Sequence, residues 1–150
     1  MSSPEGSTVT FRSVRMRLPR GPIEKFARTL QAQVAKGRAF DCLITTDAEL
    51  QRLNRTFRGK DYPTDVLSFP AADGRHLGDI AISYQRARSQ ARDFGHSTEE
   101  EIRVLMLHGV LHLTGMDHET DSGRMARAEK RWRADLGLPA GLIERVPEAM

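Results

Sequence analysis

The sequence predicts an α+β fold, a single domain in which helices pack on a small mixed sheet of about four strands. The first observation behind this is the order of apolar patterns along the chain, which reads βαβαββααα. The second is that 150 residues, 39% of them hydrophobic, suit one domain with one core. The third is the segment IRVLMLHGVLHL, residues 102–113, which is apolar almost all round and therefore predicts a central buried helix.

The first half of the chain predicts two strands, each followed by a helix. Apolar residues alternate or run together in the strands and recur at helical spacing in the helices. Proline suits a first helical turn, glycine ends helices, and threonine or aspartate caps them. The predicted elements are a strand over residues 8–18 with one register break, a helix from Pro22 to Gly37, a strand over residues 40–45, and a helix capped by Thr46 or Asp47.

The second half predicts two more strands and three helices. Serine or threonine followed three residues later by glutamate forms a capping box, and two such pairs precede the buried helix, Ser97 with Glu100 and Thr98 with Glu101. The residues after about 138 are expected to be loose. The predicted elements are strands over residues 66–69 and 77–83 around an Asp73-Gly74 turn, a helix over residues 84–94, the buried helix, and a helix over residues 122–135 closed by Gly137.

Composition narrows the class of protein. The single cysteine, Cys42, excludes an internal disulfide and a multi-cysteine metal cluster, so we expect a cytoplasmic protein. No apolar run approaches the roughly 20 residues that span a bilayer, and residues 1–10 do not resemble a secretory signal. A net charge of +3 and a pI of about 9.4 permit a polyanionic partner without requiring one.

The string HGVLHLTGMDH predicts a metal site. His108 and His112 are four residues apart, so they lie on one face of the buried helix. Gly115 can end the helix with a sharp reversal, which lets His118 approach the same ion from another side. Burying these imidazoles without a shared partner would cost too much free energy, so we predict one metal ion held by the three histidines.

Three neutral imidazoles favour zinc, or a similar borderline metal, over magnesium or calcium. Catalytic zinc keeps three protein ligands whereas structural zinc has four, so the ligand count favours a catalytic ion. Asp117 is expected either to orient a histidine ring or to serve as a turn residue. Cys42 is expected to pack in the core, and His76 and His96 to be ordinary surface residues.

The same offsets of histidines and glycine occur in metzincin peptidases, which carry a glutamate after the first histidine as general base. Here that position is Gly109. Peptide hydrolysis by that route is therefore not expected, although the spacing of the metal-binding histidines is retained.

Together with NRTFRGKDYPTDVLSFP (residues 54–70) and LGDIAIS (residues 77–83), the histidine motif resembles the bacterial YbeY family of endoribonucleases. The resemblance covers residues 50–118. It implies that residues 1–150 form one metal-dependent endoribonuclease domain, specific for single-stranded RNA. It also implies a role in maturing the 3′ end of small-subunit (16S) ribosomal RNA and in ribosome quality control, with ribosomal RNA precursors, ribosomal subunits and ribosome-associated proteins as partners.

The resemblance also implies site residues. The zinc ligands match His108, His112 and His118, and an important arginine of the family matches Arg58. We assign the catalytic roles to Arg58, which would bind the phosphate with Lys60 as auxiliary, and to His108 as a ligand of the catalytic zinc. The general base stays open between a metal-activated water and the RNA 2′-hydroxyl. Two alternatives also stay open: another metal-dependent hydrolase, and a non-catalytic ribosome-assembly factor that zinc stabilises.

Overall fold

The predicted order of elements is confirmed in the computed structural model, which describes residues 6–72, 74–117 and 120–139. His118, the predicted Asp73 turn position and the predicted loose tail beyond residue 139 lie outside the described residues. The elements are β1 (Thr8–Phe11), α1 (Arg20–Gln33), β2 (Ala39–Thr45), α2 (Asp47–Arg58), β3 (Val66–Pro70), β4 (His76–Ser83), α3 (Tyr84–Phe94), α4 (Thr98–Leu113) and α5 (Arg124–Leu136).

The four strands form one mixed sheet in the order β1-β2-β4-β3. β1, β2 and β4 run parallel, and β3 pairs with β4 in the antiparallel direction. The predicted small mixed sheet is therefore confirmed. Neighbouring residues of a strand face opposite sides of a sheet, so the Cys42–Ile80 pair faces one side and the Leu43–Ala81 pair faces the other.

The main core lies between the first of these faces and the helices α1, α3, α4 and α5. Helix α4 contacts α1, α3 and α5 as well as β3 and β4, so it is the central buried helix that the sequence predicts. A smaller core on the opposite face packs Leu50 of α2 on Leu67 and Ala81.

Caps and turns explain where the boundaries fall. Thr46 caps α2 by accepting a hydrogen bond from the Glu49 amide (3.2 Å), and Ser97 and Glu100 form the capping box of α4. The first strand ends at Phe11, not at residue 18, because Ser13 takes a positive φ of 59° and turns the chain out of the ladder.

Two predicted helix boundaries were also wrong by a few residues. Helix α1 begins at Arg20, which leaves Pro22 in the first turn, where the missing N–H costs nothing, and it ends at Gln33 before Gly37. Helix α5 begins at Arg124, because Ser122 and Gly123 both have positive φ. In the described part of the chain, no helix combines the length and apolarity that crossing a membrane would need.

Candidate active site

His108 and His112 lie one turn apart near the end of α4. Their ring centroids are 4.8 Å apart and the ring planes meet at 77°. His108 is buried, with 5% of its surface exposed, whereas His112 is partly exposed. The two imidazoles therefore lie side by side between the core and the surface, as their spacing predicts.

Hydrogen bonds at Nδ1 fix the orientation of both rings. His112 Nδ1 donates to the Met116 carbonyl at 3.0 Å, since a carbonyl oxygen can only accept. His108 Nδ1 lies 2.7 Å from Oε2 of Glu129. When the rings are neutral and Nδ1 carries the proton, the lone pair lies on Nε2 in both histidines, which is the nitrogen able to bind a metal.

The turn after α4 brings the Met116 carbonyl back to His112. Gly115 has a φ of 103°, and its amide donates to the His112 carbonyl at 3.0 Å. The Met116 amide then donates to the Leu111 carbonyl at 3.2 Å. The predicted reversal at Gly115 is thus present, and a non-glycine residue would be strained there.

Glu129 of α5 is a site residue that the sequence analysis missed. Its side chain is fully buried and faces His108. A signal was available, because Glu129 lies four residues after Met125 and therefore on the apolar stripe of α5. A carboxylate at a core position needs a partner, and a histidine of a predicted metal motif was the obvious candidate.

A cavity of about 680 Å³ is lined by those predicted site residues that the structure describes. Arg58, the last residue of α2, and Lys60 of the following loop line it together with His108 and His112. Gly59, with a φ of 68°, turns the chain between the two cations. The other lining residues are Tyr62, Thr64, Asp65, Val66, Ser68, Pro70, Gly115, Met116 and Asp117.

Acidic residues at the cavity have structural contacts of their own. Asp65 accepts hydrogen bonds from the Val66 amide (2.8 Å) and from Gln90 (3.1 Å), which order the loop before β3. The Asp117 carbonyl accepts from the Thr120 amide (3.1 Å), so Asp117 lies in a turn. Its other expected role, orienting a histidine ring, stays a prediction.

The family described as endoribonuclease YbeY matches residues 16–137. The chain belongs to the YbeY family. An endoribonuclease YbeY of Solibacter usitatus is 69% identical over 97% of this chain and 99% of its own length. One of Koribacter versatilis is 55% identical over 69% of this chain and 68% of its own.

The YbeY fold is also found among solved structures. The solution structure of TM1509 from Thermotoga maritima superimposes with a TM-score of 0.57 at 28% sequence identity, over 85% of this chain and 93% of that one. Family membership supports an endoribonuclease role, the coarse function that the sequence predicts.

Gly109 distinguishes this YbeY site from a peptidase site. A Cβ at this position would lie 3.1 Å from both Ile80 and the hydroxyl of Ser68, and Ser68 donates to the Gly109 carbonyl at 3.1 Å. The absence of a side chain lets α4 pack closely on β3 and β4. A side chain there would require Ile80 and Ser68 to shift to make room.

A second group of residues on the sheet could hold a metal ion. Asp41 of β2 and His76 and Asp79 of β4 each offer one ligand atom, all within 4.8 Å of one another. His76 was expected to be an ordinary surface residue of a polar loop, but it is the first residue of β4 and its Nε2 lies 3.4 Å from Asp41 of β2. The two carboxylates belong to exposed side chains, whereas His108 is buried at a cavity that also contains Arg58.

The prediction for His96 was wrong, and that for Cys42 was confirmed. His96 is not an ordinary surface residue, since its side chain is 9% exposed and its Nε2 lies 2.6 Å from the fully buried Glu101. Cys42 is buried, and burial, with a smaller contribution from Asp41, raises the pKa of its thiol to about 12. A buried thiol that stays protonated is a poor nucleophile, which agrees with a packing role for Cys42.

Proposed function

We propose that this YbeY-family chain is a zinc-dependent endoribonuclease specific for single-stranded RNA. The supporting observation is that His108 and His112 are oriented through Nδ1 at a cavity that also presents Arg58 and Lys60. His118 lies outside the described residues. We assign it as the third ligand because of its place in the sequence motif and because of the family resemblance.

The donors present fit one zinc ion per chain. Imidazole nitrogen suits zinc, and zinc-binding histidines usually donate their second nitrogen to a carboxylate or a carbonyl. Glu129 and the Met116 carbonyl are such partners, one for each ring. When bound, zinc supplies Lewis-acid chemistry that polarises the scissile phosphoryl group.

The chain's own residues perform the remaining tasks. Arg58 would bind the scissile phosphate through its guanidinium fork and stabilise the negative charge that builds on the non-bridging oxygens. Lys60 adds a second positive charge at the same cavity. Glu129, buried beside His108, accepts a hydrogen bond from Nδ1, which orients the ring and makes Nε2 a better metal ligand.

The biological role that we propose is maturation of the 3′ end of 16S ribosomal RNA and ribosome quality control in the cytoplasm. Ribosomal RNA precursors, ribosomal subunits and ribosome-associated proteins are the proposed partners. Family membership and the basic pI of about 9.4 support this role.

The test measures zinc content and cleavage of a labelled single-stranded RNA for matched variants. Wild type should hold about one zinc per chain and cut the RNA. Arg58→Ala should keep its zinc and lose about 10²- to 10³-fold in kcat, the usual effect of removing one group that stabilises transition-state charge. Arg88→Ala is the control, since Arg88 is an exposed arginine of α3 that does not line the cavity.

Loss of zinc in Arg58→Ala would count against a phosphate-binding role. Equal, weak cleavage by wild type and Arg58→Ala would identify the activity as contamination and favour the zinc-stabilised assembly factor. Products that end in a 2′,3′-cyclic phosphate would identify the RNA 2′-hydroxyl as the nucleophile.

A further inference from the structure

Tyr62 places an exposed aromatic ring at the candidate active site. The residue is 51% exposed, although it lines the same cavity as Arg58, Lys60 and His108. Tyrosine has a large apolar face that is normally covered in a folded protein. A ring left open beside cationic groups therefore suggests a ligand with its own flat face and negative charge.

The backbone of Tyr62 is held on α2, so its exposure is not a property of a loose loop. Asn54, only 1% exposed, donates through Nδ2 to the Tyr62 carbonyl at 3.0 Å. The Lys60 amide donates to the Asn54 carbonyl at 3.2 Å. Pro63 further restricts the backbone of the residue before it. The ring is thus presented from a pre-organised loop, which lowers the entropic cost of binding.

Helix α2 itself carries an exposed aromatic ring, Phe57, in a different environment. Phe57 is 66% exposed, but its ring packs edge-on against Phe69 at 5.7 Å between centroids. It lines a separate cavity with Leu43 and Ala81, on the face of the sheet that carries the smaller core. Phe57 therefore provides a matched control for loss of an exposed ring away from the histidines.

We propose that Tyr62 forms a nucleobase-binding subsite, on which an unpaired base of the RNA stacks while its phosphate is held by Arg58 and Lys60. The proposal rests on the proposed endoribonuclease function and gives it a source of strand selectivity. Aromatic side chains stack on bases of any sequence, but only an unstacked, unpaired base can offer its face. A duplex would bring its phosphates to the cavity without filling this subsite.

The experiment compares Tyr62→Ala, Tyr62→Phe and Phe57→Ala with wild type on a labelled single-stranded RNA. Cleavage is followed as kcat/KM, and binding is followed by fluorescence anisotropy in the presence of a chelator, which prevents cutting. Tyr62→Ala should lower both affinity and kcat/KM by about 5- to 150-fold, the usual effect of losing one base–aromatic stack. Tyr62→Phe keeps the ring and should behave as wild type, as should Phe57→Ala.

A series of RNAs with one abasic nucleotide tests whether the lost contact is a base. At one position the abasic RNA should weaken wild type as much as Tyr62→Ala does, with no further loss when the two changes are combined. Unchanged binding and cleavage in Tyr62→Ala would overturn the subsite, as would equal losses in Phe57→Ala or additive losses at every abasic position.

The same data separate this proposal from the proposed function. Cleavage by wild type that does not depend on Tyr62 overturns the subsite alone. Binding that depends on Tyr62, without any cleavage, overturns the nuclease alone. Failure of wild type to bind the RNA overturns both.

Discussion

Replacing Glu129 by glutamine should weaken zinc binding without unfolding the protein. Glu129 is fully buried, and its Oε2 lies 2.7 Å from Nδ1 of His108. Glutamine has nearly the same shape and can still accept a hydrogen bond from the ring. It carries no charge, so it loses the charge-assisted part of the interaction, which stabilises the ring as a ligand.

The expected magnitude follows from the type of bond that is lost. A hydrogen bond to a charged group contributes about 1.5–3 kcal/mol, and a neutral one about 0.5–1.5 kcal/mol. The difference, about 1–1.5 kcal/mol, corresponds to roughly 5- to 13-fold in affinity. Substitution of such supporting residues typically costs about 10- to 100-fold. We therefore expect a loss in zinc affinity of about tenfold for Glu129→Gln.

The assay is a zinc competition titration against a chromophoric chelator, accompanied by urea denaturation of the metal-free protein. Glu101→Gln is the matched control. Glu101 is also fully buried, lies 2.6 Å from His96, and belongs to the same helix as His108, about 10 Å away along its axis. Glu101→Gln should change the free energy of unfolding by an amount comparable to that for Glu129→Gln, and it should leave the zinc affinity unchanged.

Two results would refute this reasoning. Unchanged zinc affinity in a folded Glu129→Gln protein would show that the carboxylate does not support the ligand. Equal losses of affinity in Glu129→Gln and Glu101→Gln would show that zinc binding responds to the packing of α4 as a whole.

Three further predictions concern the sheet, the cap of α4 and the metal. Gly78→Ala should lower the free energy of unfolding by at least about 2 kcal/mol in urea denaturation. The reason is that Gly78 has a φ of 146° and that a Cβ there would lie 2.4 Å from the Phe69 carbonyl oxygen. An unchanged denaturation midpoint would contradict this prediction. The hydrogen bond from the N-cap backbone lowers the pKa of Glu100 below its ordinary 4.5, so Glu100 contributes stability above that pH and loses it as the pH falls through its folded pKa. Wild type should therefore be more stable than Glu100→Gln at neutral pH and no more stable in strong acid, and a difference independent of pH would refute the linkage. His112→Ala should lose zinc and His76→Ala should keep it; the reverse result in metal analysis would place the ion on the sheet.

How far the sequence predicts the fold depends on whether the signal is local. The order of the nine elements in the described part of the chain was predicted, because apolar period is a property of neighbouring residues. Cap chemistry narrowed the caps to Thr46 or Asp47 and to Ser97 or Thr98, and the structure uses Thr46 and Ser97. The end of β1 was not predicted, since alternation continues past Ser13 whereas the backbone turns there. Strand order was unreadable, because pairing depends on contacts between distant segments.

The same division applies to the candidate site. Spacing alone placed His108 and His112 side by side. The family resemblance singled out Arg58, and the fold brings it to their cavity by ending α2 there. Glu129 was missed although its place on the apolar stripe of α5 indicated a buried carboxylate, and its contact with His108 forms only when α5 packs on α4.

The sequence by itself determined the order of the secondary-structure elements, the buried helix and the spacing of its histidines, because these follow from residue type and helical geometry over a few positions. Only the tertiary structure decided which nitrogen of each ring can bind a metal, since that depends on Glu129 and on the turn that returns the Met116 carbonyl. It also placed Asp41 beside Asp79 and set Tyr62 at the cavity. Each of these contacts joins residues that are far apart in the chain, and only helix packing and strand pairing bring them together.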